Sequence, residues 1–273
     1  MSRPDANEAY TLGTSPAEVA RLRARLERLR PYATALLDRA CLRAGQRAID
    51  VGCGPAGILD LLSAAVSPGG RVTGLDADPV HAALAREYAA ELGLENVEVL
   101  TGDARHTGLP SGSFDLVHAR SLLINVPGPA EVVTEMVRLA APGGWVIGLE
   151  PDCEFGVCYP PLAEWDRLHE LYVAGFRVAD ADPLIGRRLT ELYRDAGLEE
   201  TGIGSYALAS PPGDPQRTVI PDLVRNLRPR ILAAGLSDER ELDTLDRAVR
   251  AHLEDPRTVM TPHLYMAAWG HKP

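Results

Sequence analysis

Lysine is all but missing from this sequence: of 28 basic residues one is a lysine, Lys272, and the others are arginine. That bias fits a GC-rich genome and carries no function by itself. Aromatic residues make up 5%, too few for a broad platform on which nucleobases could stack. A basic face is missing too: the formal net charge is −10, which argues against a partner with a phosphate backbone. The four cysteines, Cys41, Cys53, Cys153 and Cys158, are too sparse for a disulfide scaffold. They form no C-x-x-C pair, so they read as small buried thiols and no metal site is expected. No apolar run approaches membrane-spanning length, and the stretch from Met1 to Tyr10 is polar, without the core of a signal peptide. No membrane partner and a cytoplasmic location are therefore the expectations.

What is there is ordinary for a globular chain: 45% apolar and 24% charged residues over 273 positions. That length suits one large α/β domain, or a core with appended subdomains. Val19, Leu22, Leu26 and Leu29 recur at helical spacing from Pro16 to Arg30, with arginines on the other face. Pro31 is expected to end this helix, and a second one to run through Leu36, Leu37 and Leu42. The period then changes. Arg47–Val51, Arg71–Leu75, Val97–Leu100, Phe114–His118 and Trp145–Leu149 read as five strands, with helical stretches between most of them. Such alternation means βαβ crossovers and a parallel sheet covered on both faces. Beyond Pro151 the rhythm loosens. Helices are expected over Leu162–Val173, over Leu184–Ala196 and around Leu223–Ile231 and Leu242–Leu253, the last with Ser237 as its N-cap. Ile203–Leu208 and Thr258–Trp269 read as extended.

The chemistry concentrates where the first strand ends. Gly52, Gly54 and Gly57 follow a strand and open a helix, where glycine lets backbone approach a ligand and a helix N-terminus offers unpaired N–H groups. Asp76 closes the second strand, where a carboxylate can accept both hydroxyls of a ribose. To this point NAD and S-adenosylmethionine fit equally. Gly102-Asp103-Ala104 after the third strand, Phe114-Asp115-Leu116-Val117 in the fourth, and Pro142-Gly143-Gly144-Trp145 before the fifth separate them. In this order and spacing, Asp50 to Glu150 resembles the class I S-adenosylmethionine-dependent methyltransferases. Tyr10-Thr11-Leu12-Gly13, Gly186-Arg187-Arg188-Leu189 and Ala267-Ala268-Trp269-Gly270 are similar to parts of their bacterial small-molecule members.

The resemblance implies a doubly wound, seven-stranded Rossmann-like sheet with its last strand antiparallel, under a helical lid and inserts. Residues 1–44 would form the lid, 45–152 the S-adenosylmethionine-binding core, and 153–273 the second half of the sheet, with substrate-cap inserts at 153–183 and 211–257. It further implies that Gly52, Cys53 and Gly54 approach the methionine moiety, with Asp50 orienting its amino group. Asp76 would hold the ribose and Ala77 flank the adenine. Asp103 and Ala104 would read the adenine edge, Ala119 and Arg120 would border the sulfonium, and Tyr10 would close over the cofactor. Many relatives carry a histidine where Asn125 stands here. A base, if the acceptor needs one, is sought among His118, Asp152 and Glu170, although a structural histidine and a solvated Glu170 are the plainer readings. The implied activity is methyl transfer to an O, N, S or C nucleophile of a small molecule, as in natural-product biosynthesis, leaving S-adenosylhomocysteine. No nucleic acid partner is expected, and a homodimer stays open. The alternatives are a non-methylating use of the cofactor and a non-catalytic partner subunit. An NAD-dependent oxidoreductase is disfavoured by Asp103, by the Pro-Gly-Gly turn and by the absence of any Tyr-x-x-x-Lys pair.

Overall fold

The computed structural model describes residues 16–273, so Tyr10 lies outside the described residues. The first element, α1 (Pro16–Ala40), is one helix and not two. Pro31 sits inside it, at a cost of roughly 3 kcal/mol for the lost N–H and the ring clash. Leu29, Ala33, Leu36 and Leu37 flank the proline and are all buried against the sheet, and their burial outweighs that local penalty.

Seven strands make the main sheet: β1 (Arg47–Val51), β2 (Arg71–Asp76), β3 (Val97–Thr101), β4 (Phe114–Arg120), β5 (Ala140–Asp152), β7 (Glu199–Ala207) and β9 (Leu264–His271). Their order is β3-β2-β1-β4-β5-β9-β7. The first five pair in parallel, whereas β9 runs antiparallel to both β5 and β7. The expected sheet and its antiparallel last strand are therefore both present. Side chains alternate across it. Ala48, Val72, Leu116 and Ile147 pack on the face covered by α1 and α2 (Leu59–Val66), with α3 (Pro79–Glu91) at its edge. Ile49, Val51, Val117 and Val146 pack on the other face, under α4 (Pro129–Leu139) and α6 (Ile185–Asp195).

Three helices form a further layer: α5 (Ala163–Val178), α7 (Val219–Ala233) and α8 (Glu239–Glu254). Gly175 lets α5 and α7 close together; a Cβ there would stand 3.0 Å from Leu227 Cδ1. Asp238, not Ser237, caps α8, its carboxylate accepting the Glu241 amide, while Ser237 Oγ donates to the Glu241 carboxylate at 2.5 Å. A two-stranded ribbon that the sequence reading did not contain joins β6 (Val157–Tyr159) to β8 (Val259–Thr261). Among the described residues no helix is long and apolar enough to cross a membrane.

Candidate functional site

The strand order reverses between β1 and β4, and at the carboxyl ends of those strands lies an open cavity. Leu22 and Leu26 of α1 roof it; the turns after β1, β2, β3 and β4 form its floor.

The turn after β1 owes its shape to Asp50. One carboxylate oxygen accepts the Ile58 amide at 2.9 Å and the other meets His118 Nδ1 at 2.7 Å. Gly52, Gly54 and Gly57 all have positive φ. At Gly57 a Cβ would collide with the Asp50 carboxylate, and at Gly52 it would stand 2.7 Å from Leu122 Cδ1. At Gly54 it would meet nothing within 4 Å, because that residue faces the cavity. The first N–H groups of the turn are spent within the protein. Gly52 and Cys53 donate to the Leu75 carbonyl at 2.7 and 2.9 Å, and Gly54 donates to Asp76 at 2.8 Å. From Gly52 to Gly54 the turn therefore offers a bare backbone surface, and Ala56 and Gly57 continue the cavity wall.

Asp76, at the end of β2, accepts the Gly54 amide with one oxygen and the Asp78 amide with the other, and each oxygen keeps a lone pair for the cavity. His81 stands behind it on α3, its Nδ1 3.8 Å from Asp76. Burial works to lower the His81 pKa, but the nearby Asp76 carboxylate and the charge of Asp78 raise it overall. Ala77 lines the cavity from an exposed position. Asp103 and Ala104 also line it, with the Asp103 carboxylate clasped by Arg105 at 2.7 to 3.1 Å. That clasp holds the Asp103 carboxyl below its ordinary range.

The end of β4 divides the expected residues. Arg120 reaches the cavity, whereas Ala119 is 1% exposed and packs into the opposite core, as strand alternation requires. Arg120 Nη1 is buried without a hydrogen-bond partner among the described residues. Burial, together with the nearby Arg25, pushes this guanidinium down to about 10. Two further buried polar atoms on the cavity wall lack partners, Ser121 Oγ and Asn125 Oδ1. Ser121 also holds a φ of 50°, a strained value for a residue other than glycine.

Glu150 organises this wall from behind. Wholly buried, it accepts the amides of Leu122, Leu123 and Ile124 at 2.8, 3.0 and 3.2 Å, which fixes the 3-10 turn Leu123–Asn125. Burial pushes its pKa up to about 7 in spite of the three donors.

None of the three candidate bases lines the cavity. His118 is buried on β4 and committed to Asp50. Asp152 is held by Arg187 at 2.7 and 2.8 Å, and Glu170 sits on the exposed face of α5 beside Arg167. The sequence reading missed His81, and it gave Asn125 no role in binding. Spacing three residues past Asp78, the α3 cap, could have flagged the first. Among the described residues no group of three or more His, Cys, Asp or Glu is arranged to hold a metal ion.

A family model described as a methyltransferase domain matches residues 49–148. Nocamycin O-methyltransferase of Saccharothrix syringae is 41% identical over 142 residues, 51% of this chain and 48% of that protein. A demethylmenaquinone methyltransferase of Geobacillus sp. strain WCH70 is 30% identical over 193 residues, 62% of this chain and 78% of its own length. The chain spans about half to three fifths of the length of three curated relatives it matches, the nocamycin enzyme among them. Phosphoethanolamine N-methyltransferase 2 of Haemonchus contortus, solved with S-adenosyl-L-methionine, superposes with a TM-score of 0.55. It is 19% identical, over 88% of this chain and 51% of that one, so the likeness is one of fold.

Proposed function

Because the chain belongs to the class I S-adenosylmethionine-dependent methyltransferases, we propose that it binds that cofactor at the ends of β1 to β4 and methylates a small molecule beside it. One observation carries this reading: the unpartnered polar atoms of the cavity match the polar ends of the cofactor. Arg120 Nη1 complements a carboxylate, and Asn125 Oδ1 with Ser121 Oγ complements an ammonium group. The lone pairs left on Asp76 complement two vicinal hydroxyls, and Asp103 with Ala104 borders the place left for the base. The bare backbone at Gly54 leaves room for the sulfonium centre.

Bound there, the cofactor supplies a methyl group made electrophilic by its sulfonium. The protein contributes position and dryness. Leu22 and Leu26 exclude water from above, and Asp50 and Glu150 hold the two turns that carry the binding groups. None of His118, Asp152 and Glu170 lines the cavity, so the geometry favours an acceptor that needs no proton removed in the transition state. The kinship with a nocamycin and a demethylmenaquinone methyltransferase supports a natural-product or quinone-like acceptor and methylation at oxygen or carbon. Calorimetric titration with S-adenosylmethionine, S-adenosylhomocysteine and NAD tests the reading. Saturable binding of the first two is expected; their failure to bind, or equal binding of NAD, refutes it.

A further inference from the structure

Two arginines reach the cavity from opposite sides, Arg25 from its roof and Arg120 from the end of β4. Leu22, Arg25 and Leu26 stand at i, i+3 and i+4 on α1 and all line the cavity, so the half-buried Arg25 shares the face of the two roofing leucines. Neither arginine makes an ion pair among the described residues, and Arg120 Nη1 is buried without any partner there. The carboxylates of the cavity are engaged elsewhere: Asp50 by His118 and the Ile58 amide, Asp76 by the Gly54 and Asp78 amides, and Asp103 by Arg105. Burial lowers Arg120 and His263 and raises Glu150; the charge of Arg25 deepens the first two shifts and offsets part of the third. Arg25 therefore stands at the β4–β5 end of the cavity, whereas Asp76 and Asp103 mark the β2–β3 end.

Two guanidinium groups brought into one partly desolvated space repel each other, and an anion between them replaces that repulsion by attraction. The anion must be compact enough to meet both. It must also lie beside Ser121 and Asn125, whose unpartnered buried oxygens suit an ammonium group. A carboxylate one carbon away from an ammonium satisfies both conditions. We infer that Arg25 and Arg120 clamp the carboxylate of the cofactor's methionine moiety between them, so that α1 supplies a ligand to the cofactor as well as a roof. Planar forks suit this task, since each can take one edge of a carboxylate. That carboxylate is the same before and after the methyl group leaves, so the clamp adds affinity for both forms of the cofactor and not rate. This inference rests on the reading that the cavity binds S-adenosylmethionine.

The test titrates the full chain with S-adenosylhomocysteine and with its decarboxylated analogue, which keeps the adenosine, the thioether and the amine. Wild type should prefer S-adenosylhomocysteine about a hundredfold. Arg25→Gln should weaken S-adenosylhomocysteine about tenfold and leave the analogue no weaker, so that the preference falls to about tenfold or less. Arg25→Lys, which keeps the charge and loses the fork, should restore most of the lost preference. An unchanged preference in Arg25→Gln, an equal loss for both ligands, or a lysine variant no better than the glutamine one overturns the clamp while the cofactor reading stands. Failure of wild type to bind S-adenosylhomocysteine overturns the cofactor reading, and this inference with it.

Discussion

Replacing Glu150 by glutamine should make the protein more stable above neutral pH and leave it nearly unchanged in mild acid. The residue is wholly buried, and its pKa stands at about 7 against an ordinary 4.5. A raised carboxyl pKa means that the folded protein holds a proton which the unfolded chain releases, so stability falls as pH rises from 4.5 to about 7 and is level beyond. The gap is about 2.5 pH units, at about 1.4 kcal/mol each, or about 3 kcal/mol lost by pH 8. Glutamine is the neutral isostere of the protonated acid. Its carbonyl can still accept the Leu122 and Leu123 amides, which share one oxygen of Glu150. Urea unfolding of both proteins at half-unit steps from about pH 5 to pH 8 reads the difference directly. The two stability curves should coincide near pH 5 and diverge by about 3 kcal/mol at pH 8, with the variant on top. Parallel curves, or a variant less stable at pH 8, would show that three amide donors stabilise the carboxylate more than burial penalises it.

Asp76→Ala should weaken S-adenosylmethionine about a hundredfold by removing two charge-assisted hydrogen bonds, and a loss under about threefold by calorimetry would contradict the ribose assignment. Gly57→Ala combines a φ of +56° with a Cβ against the Asp50 carboxylate, so it should lower stability by about 2 to 4 kcal/mol in urea unfolding. Glu135 is held down to about 2 by Arg138 and Thr107, so its contribution is complete above pH 4.5 and lost as pH falls toward 2. Glu135→Gln should therefore melt lower than wild type at neutral pH, with the gap closing near pH 2; a constant gap refutes this.

Much of the core was legible because local pattern and tertiary use agree. Arg47–Val51 is apolar and runs into glycines that the turn needs sterically, and Asp76 ends its strand as read. The failures lie where a distant partner decides. Pro31 reads as a break, yet buried neighbours on both sides hold the helix together. Ala119 and Arg120 differ by one position, which in a strand is the difference between core and cavity. Asp152 is answered by Arg187, and β6 by a three-residue strand near the chain's end; neither pairing leaves a local signal.

The long first helix has one more property, which concerns ionic strength. Its sheet-facing half, from Leu29 to Ala40, is held by apolar contacts that salt barely touches. Its other half, over the cavity, is fastened to the segment before α7 and to α7 itself by polar bonds: Arg28 to Asp214 and Ser210, and Glu18 to Asn226. Charged contacts at a partly open surface weaken as the Debye length shrinks from about 10 Å at 0.1 M salt to about 3 Å at 1 M. Concentrated salt thus acts on one end of a single rod, and Pro31, near the start of the sheet-bound segment, deprives the Glu27 carbonyl of its helical N–H partner where the two ends must part company. Ligands should come and go faster in salt while the fold beneath keeps its stability.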